Sequence, residues 1–341
     1  MVNLRYVLKV CKPRLYLRLI KTYILIAFGA RPLRYVDFAL DYRCNLKCEH
    51  CFATVLEKPK GARKMTLEDY RRVADECMSE GAIQFSFQGG EPLLINNLAE
   101  IIACFKPDWN LISVTTNGTL LNEDRLKYLK KAGVDILTVS LDSGIPDEHD
   151  SFRGLKGAFD KTVSGIELAL KSGLKVTVGT VVSHSNLRSD GLRKLLEWAK
   201  GRKLLVTLAL AVPAGRWLDN KGILLTEQDM TYVHKLSSES QFITTDIEAN
   251  FISYGCGAGK EILYITPYGD VFVCPFIHIR FGNVFEESIK AIRARALRNK
   301  YLDHYHDKCL AAQDREFIEK YLSKTFGQKQ LPLDYKEVFS D

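Results

Sequence analysis

Residues 34–51 read "RYVDFALDYRCNLKCEHC". The first nine, "RYVDFALDY", are rich in β-branched and aromatic residues, the composition of a strand that packs on its neighbours. Three cysteines follow directly, Cys44, Cys48 and Cys51, and no fourth lies nearby. A structural zinc or a complete iron–sulfur cube ordinarily takes four protein ligands. Three thiolates can hold three irons of a cube and leave the fourth open to a substrate or cofactor.

Outward from this stretch, strand-like and helix-like segments alternate. Residues 65–81 read as a helix, with Thr66 as N-cap, Asp69 three residues on and Gly81 as stop. Strands are expected at 82–88, 111–116, 135–142, 174–183 and 203–213, with helices near 96–106, 122–133, 155–172 and 189–201. Six strands joined by helices imply a parallel sheet with right-handed crossovers. In such α/β folds chemistry gathers at the C-terminal strand ends. The cysteines follow strand one, "GGEPLL" (89–94) follows strand two, "TTNGTLL" (115–121) ends strand three, and "TVSLDS" (138–143) ends strand four. From about residue 240 the texture changes. "EILYITPYGDVFVCP" (261–275) reads as a hairpin, and helices follow near 285–300 and 314–325.

The chain has 341 residues, 46% hydrophobic and 26% charged, ordinary values for a globular protein. Its net charge of +7 is unevenly placed. Residues 1–36 hold eight basic residues and no acid. Removing those eight from 48 leaves 40 against 41 acids, so the body is close to neutral. That argues against a nucleic-acid-binding body. Nine cysteines, six of them in two groups, do not form a secreted disulfide framework.

The motif C-x3-C-x2-C, with "GGEP", "TNG" and "SLD" at successive strand ends, resembles the radical S-adenosylmethionine (SAM) superfamily over residues 35–215. The resemblance implies a partial (β/α)6 TIM-like barrel with a smaller C-terminal domain of hairpin and helices. It implies a 4Fe–4S cluster on Cys44, Cys48 and Cys51, whose open iron is chelated by the methionine end of SAM. Electron transfer then cleaves the sulfonium, and a 5′-deoxyadenosyl radical removes a substrate hydrogen atom. Carried over motif by motif, Gly89, Gly90 and Glu91 contact the methionine amine. Ser140 meets the methionine carboxylate or the ribose, and Asn117 lines the pocket. Arg153, in "HDSFRG" (149–154), suits a carboxylate, with Asp142 and Thr180 as weaker pocket candidates. The competing reading of the triplet is a zinc site with His50 as fourth ligand.

The second group, "CGAGKEILYITPYGDVFVC" (256–274), resembles the opening of the auxiliary-cluster extensions called SPASM and twitch domains. The dense cysteine series of a full SPASM domain does not follow, and "HDKC" (306–309) stands where a twitch domain has its C-x-x-C pair. Two readings stand. Cys256, Cys274, His306 and Cys309 hold one auxiliary 4Fe–4S cluster, or the three cysteines bind alone. His278 and His304 are competing ligands, and three small buried thiols are the bland alternative.

The expected domains are a basic amphipathic segment (1–34), the radical core (35–239) and the auxiliary domain (240–341). "RLYLRLIKTYILIAFGA" (14–30) is apolar and basic, too short to span a bilayer. It reads either as a helix on an anionic membrane surface or as one docked on the domain with its basic face in water. The 34 residues before strand one are too few for a peptide-binding winged helix. The expected substrate is therefore a small molecule, a sugar or a lipid-linked molecule, undergoing oxidation, epimerisation or bond formation. A flavodoxin or ferredoxin reductant and a cytoplasmic site, at the inner face of the membrane, go with that reading. The alternatives are a ribosomal-peptide maturase and a non-catalytic iron–sulfur electron carrier.

Overall fold

The computed structural model describes residues 12–245, 247 and 254–339. The basic residues Arg5 and Lys9 and the thiol of Cys11 lie outside the described residues.

Strands β1 (Tyr35–Ala39), β2 (Gln84–Gln88), β3 (Leu111–Thr116), β4 (Ile136–Ser140), β5 (Lys175–Val182) and β6 (Leu205–Leu210) are parallel neighbours in chain order. A short β7 (Ile243–Thr245) extends the sheet beyond β6. With its helices this is a partial TIM-like barrel carrying a C-terminal domain.

The helices are α1 (Pro13–Ala27), α2 (Leu67–Ser79), α3 (Leu98–Cys104), α4 (Glu123–Lys131), α5 (Pro146–Arg153), α6 (Ala158–Lys171), α7 (Asp190–Gly201) and α8 (Glu227–Glu239). The expected cap of α2 forms as a reciprocal pair: the Thr66 hydroxyl accepts from the Asp69 N–H, and the Asp69 carboxylate accepts from the Thr66 N–H. Of these eight, two were not expected. Helix α5 has Pro146 in its first turn and Gly154 in the left-handed region at its end. Helix α8 carries a second capping box, Thr226 with Asp229.

The C-terminal hairpin continues the sheet of the barrel. Strand β8 (Ile262–Ile265) pairs in parallel with β1, and β9 (Asp270–Phe272) returns antiparallel. After β10 (Ile279–Arg280), β11 (Gly282–Asn283) closes a ten-stranded sheet. The reason lies in β1, whose Val36 and Phe38 are fully buried. An uncovered edge there would leave a row of main-chain groups unpaired beside an apolar core. Helices α9 (Ile289–Ala296) and α10 (Arg315–Lys320) fall within the two helical stretches expected.

Phe105, at the end of α3, ties the first two strands together. Its ring meets Phe38 of β1 edge-on at 4.7 Å and Phe87 of β2 edge-on at 4.9 Å. Such pairs add directional attraction to their apolar burial. They fix β1 against β2, and so fix the loops that leave both strand ends.

Helix α1 lies at the opposite end of these strands. Leu15 and Leu19 pack on Ile83, Leu111 and Ile136. The Lys12 ammonium reaches Asp135 at 2.5 Å, and Arg18 donates to the side chain of Asn110 and to the Ala82 carbonyl. Two basic residues of the segment are thus spent on the protein.

Burial lowers His149 and His278 each to about 4, from an ordinary value of 6.5. The unfolded chain takes up both protons near its ordinary value, whereas the folded chain stays neutral until pH 4. At these two sites the unfolded state binds about two more protons between those limits, so their contribution to stability rises with pH across that window. We expect the urea midpoint to fall between pH 7 and pH 5, and His278→Phe to flatten that fall. An unchanged slope in the variant would assign the effect elsewhere.

Candidate active site

Beyond β1 the chain runs through Asp41–Arg43 into the cysteine loop. That approach is gripped by the turn after β2. The Gly90 N–H donates to the Asp41 carbonyl (2.7 Å), and the Glu91 N–H donates to the Arg43 carbonyl (2.9 Å). A Cβ on Gly90 would stand 2.0 Å from the Arg43 carbonyl oxygen. Glycine is required there for backbone to meet backbone. The structure uses its missing side chain to admit the cysteine loop, and the same turn lines the cavity described below.

The far end of the loop is gripped from β6. The Arg216 N–H donates to the Cys51 carbonyl (3.0 Å), and the Arg216 guanidinium donates to the carbonyls of Lys47 (2.7 Å) and Cys48 (3.2 Å). Gly215 has φ +63, and a Cβ there would lie 2.1 Å from the Cys51 carbonyl oxygen. Between these grips, the Lys47 and Glu49 N–H groups donate to the carbonyls of Arg153 and Phe152, at the end of α5. Sequence reasoning missed Gly215 and Arg216. The turn in "PAGRW" (213–217) after strand six was the available signal.

The loop forms one wall of a cavity of about 360 Å³ at the C-terminal strand ends. Cys44, Cys48 and Cys51 line it, with Gly89, Gly90, Asn117, Ser140, Arg153 and Thr180. The cavity thus joins residues from the ends of β1 to β5. The Asn117 side chain donates to Asn45 (2.9 Å) and lies 3.9 Å from the Cys44 sulfur. The Thr180 hydroxyl is buried with no hydrogen-bond partner in the protein. A buried hydroxyl without a partner is costly and marks a place for a polar ligand atom.

Two of the expected contact residues turn their side chains to the protein. Glu91 does not line the cavity. Its buried carboxylate accepts from the Thr116 hydroxyl (2.7 Å), the Leu93 N–H (3.0 Å) and the Asn117 N–H (2.9 Å). It locks the turn after β2 onto the end of β3, because four carboxylate lone pairs in the interior need donors. Asp142 also points away from the cavity: it accepts from Arg153 Nε (2.6 Å) and from the Val181 N–H (3.1 Å). Burial works to raise its pKa, but the Arg153 guanidinium outweighs burial and holds it below the ordinary range. Arg153 in turn lies 3.7 Å from the Cys48 sulfur.

Burial pushes the Cys44 thiol up to about 11 and raises Cys48 as well, with Arg153 opposing the rise at Cys48. Metal binding at these thiols therefore releases protons. His50 lines the same cavity: its ring stacks on Phe152 at 4.5 Å beside Trp217, and its Nδ1 is buried without a hydrogen-bond partner. Among the described residues, no three His, Cys, Asp or Glu side chains converge as a metal-holding group. Three thiols on one wall, with an unpartnered hydroxyl on the same cavity, fit a cluster completed by a polar cofactor.

The second group lies in the C-terminal domain. Cys256 and Cys309 are buried and Cys274 is half-buried. The Cys256 N–H donates to the His306 carbonyl (2.7 Å), which brings these two segments together. The His306 ring stacks on Tyr301, and its Nε2 is buried without a hydrogen-bond partner. Of the competing ligands, His304 pairs with Asp303 (2.5 Å), whereas His278 lies buried beside Phe52 and Phe272 with both ring nitrogens lacking a hydrogen-bond partner.

The Radical SAM superfamily model matches residues 41–199. The chain belongs to the radical SAM superfamily. A second match, to the SPASM iron–sulfur cluster-binding domain, covers residues 256–312. The radical SAM domain implies a 4Fe–4S cluster and SAM, and the SPASM domain implies auxiliary iron–sulfur clusters. Similar proteins include the subtilosin biosynthesis protein AlbA of Bacillus subtilis, 29% identical over 76% of this chain and 59% of AlbA. An AdoMet-dependent heme synthase of Methanosarcina barkeri is 28% identical over 76% of this chain and 81% of its own length. The chain spans less than two thirds of AlbA. Among solved structures, Streptococcus suis SuiB bound to its precursor peptide SuiA superposes with a TM-score of 0.62. That alignment covers 82% of this chain and 68% of SuiB at 16% identity, a likeness of fold.

Gly215→Ala forces a side chain into the Cys51 carbonyl, so anaerobic reconstitution of that variant should yield less than about half the iron per chain. Gly201→Ala, where a Cβ meets nothing within 4 Å, serves as the neutral control. Equal iron in both would remove the β6 grip from the account.

Proposed function

We propose that this radical SAM enzyme cleaves SAM in the β1–β5 cavity and abstracts a hydrogen atom from a small molecule, a sugar or a lipid-linked substrate. The outcome is oxidation, epimerisation or bond formation. The observation that carries the reading is the wall of three thiols in one cavity with the unpartnered Thr180 hydroxyl. When bound, the cluster and SAM supply the carbon radical that performs the abstraction.

The chain's own residues do the rest. Cys44, Cys48 and Cys51 hold the cluster and leave one iron to SAM. Arg153, fixed by Asp142, favours the thiolate of Cys48. The backbone of Gly89 and Gly90 faces the methionine amine, while Glu91 holds that turn in place. Ser140, Asn117 and Thr180 supply polar groups for the carboxylate and ribose. Cys256, Cys274 and Cys309, with His306, hold an auxiliary cluster in the third of three segments, 1–34, 35–239 and 240–341. A ferredoxin or flavodoxin delivers the electron. We place the enzyme in the cytoplasm, against a membrane, and the composition of α1 supports that position.

A second reading, modification of a ribosomal peptide, is favoured by the similarity to AlbA and to a PqqA peptide cyclase, 26% identical over 69% of this chain. Deuterium transfer from labelled substrates into 5′-deoxyadenosine separates the two.

Anaerobic protein with dithionite should convert SAM to 5′-deoxyadenosine, and Cys44→Ala, Cys48→Ala or Cys51→Ala should each abolish it. Thr180→Val, losing one buried hydrogen bond, should weaken SAM binding by about tenfold. Cleavage that survives loss of the three thiols would overturn the proposal.

A further inference from the structure

Helix α1 is apolar on two opposite faces. Leu15 and Leu19 face the barrel. Leu17, Ile20, Ile24 and Phe28 face solvent, with exposures of 67, 57, 52 and 86%. They recur at three- and four-residue spacing and so form one stripe. A helix docked on a globular core ordinarily turns polar residues outward. Nine large hydrophobic side chains are exposed among the described residues, and six belong to α1 or its C-cap. A seventh, Trp109, lies under the Arg14 guanidinium at 5.1 Å and so adjoins the helix.

The charge on this surface selects its partner. Residues 1–36 contain no acid, while Arg14 and Lys21 stand on the helix beside the apolar stripe. An apolar stripe edged by cations, on a segment without acids, complements an anionic lipid surface. A protein partner would draw on both signs of charge.

The fold then fixes which end meets the lipid. The residues under α1, namely Ile83, Leu111 and Ile136, precede or begin β2, β3 and β4. Gly89, Asn117 and Ser140, on the cavity, follow or end the same three strands. Strands of five or six residues separate the two sites by about 17–20 Å. We propose that α1 seats the enzyme on an anionic bilayer with the cavity at the far end of the sheet, so that substrate enters from the aqueous side. This rests on the membrane position proposed above and narrows the substrate class. A lipid whose reactive carbon stays at the bilayer surface does not reach the cavity. A water-soluble molecule, or a head group carried well clear of the surface, does.

Two of the chain's three tryptophans report the orientation: Trp109 beside α1, and Trp217, which packs against His50 in the cysteine loop. The full-length holoprotein is mixed with vesicles of phosphatidylglycerol and phosphatidylcholine, with and without brominated acyl chains. We expect co-flotation with the anionic vesicles, at least tenfold weaker binding to pure phosphatidylcholine, and loss of binding in Leu17→Glu/Ile24→Glu. Trp198, near the end of α7 and just before β6, lies toward the same strand starts as α1, so it is replaced as well. Brominated lipid should quench the wild-type fluorescence and that of Trp217→Phe, but not that of Trp109→Phe/Trp198→Phe. Quenching that persists in Trp109→Phe/Trp198→Phe would overturn the orientation while leaving membrane binding intact. Absence of binding to anionic vesicles, or a dimer abolished by Leu17→Glu/Ile24→Glu in its place, would overturn the membrane position itself.

Discussion

The site depends on main chain packed against main chain around one loop. Gly90 closes on Arg43 before the cysteines, and Gly215 closes on Cys51 after them. A side chain at either glycine would stand about 2 Å from a carbonyl oxygen, closer than atoms can approach. The loop is therefore held from both ends of its run by turns that leave β2 and β6. Those turns are in turn placed by a sheet whose first two strands are pinned through Phe105.

The same scheme divides labour among the polar residues. The polar groups on the cavity wall include three thiols, the guanidinium groups of Arg153 and Arg216, the amides of Gln88 and Asn117, the His50 ring and the hydroxyls at the ends of β3, β4 and β5. Behind them stand carboxylates that never reach it. Glu91 spends its acceptors on β3, and Asp142 spends its own on Arg153 and β5. A buried carboxylate facing an empty cavity would be costly, whereas one saturated with donors holds its neighbours rigidly. Preorganisation of this kind suits the proposed radical chemistry, in which a reactive intermediate must be kept from wandering.

Much of this was legible in the sequence. The six core strands are apolar runs long enough to declare themselves, and the Thr66–Asp69 cap announced α2 to within two residues. The cysteine triplet and the motifs at successive strand ends located the cavity. What was not legible depends on contacts distant in sequence. Nothing local to "EILYI" says that it pairs with β1, more than two hundred residues earlier. Nothing in "GGEP" or "SLD" says which way a carboxylate turns. Helix α5 was within reach, since Pro146 and Gly154 mark its ends, but eight residues hold too little periodicity to stand out. The sequence left α1 either on a membrane surface or docked with its basic face in water. Which side chains face outward was not legible, and Lys12 and Arg18 turn to the protein while the apolar stripe stays outside.

The central claim is that the loop of Cys44, Cys48 and Cys51 leaves one coordination position to the cofactor. Electron paramagnetic resonance of the dithionite-reduced protein, recorded with and without SAM, tests it most directly. The account predicts a spectrum that changes on adding SAM, a change that vanishes in Cys48→Ala and persists in Cys256→Ala. A cluster signal in the Cys256→Ala protein that SAM leaves untouched would contradict it.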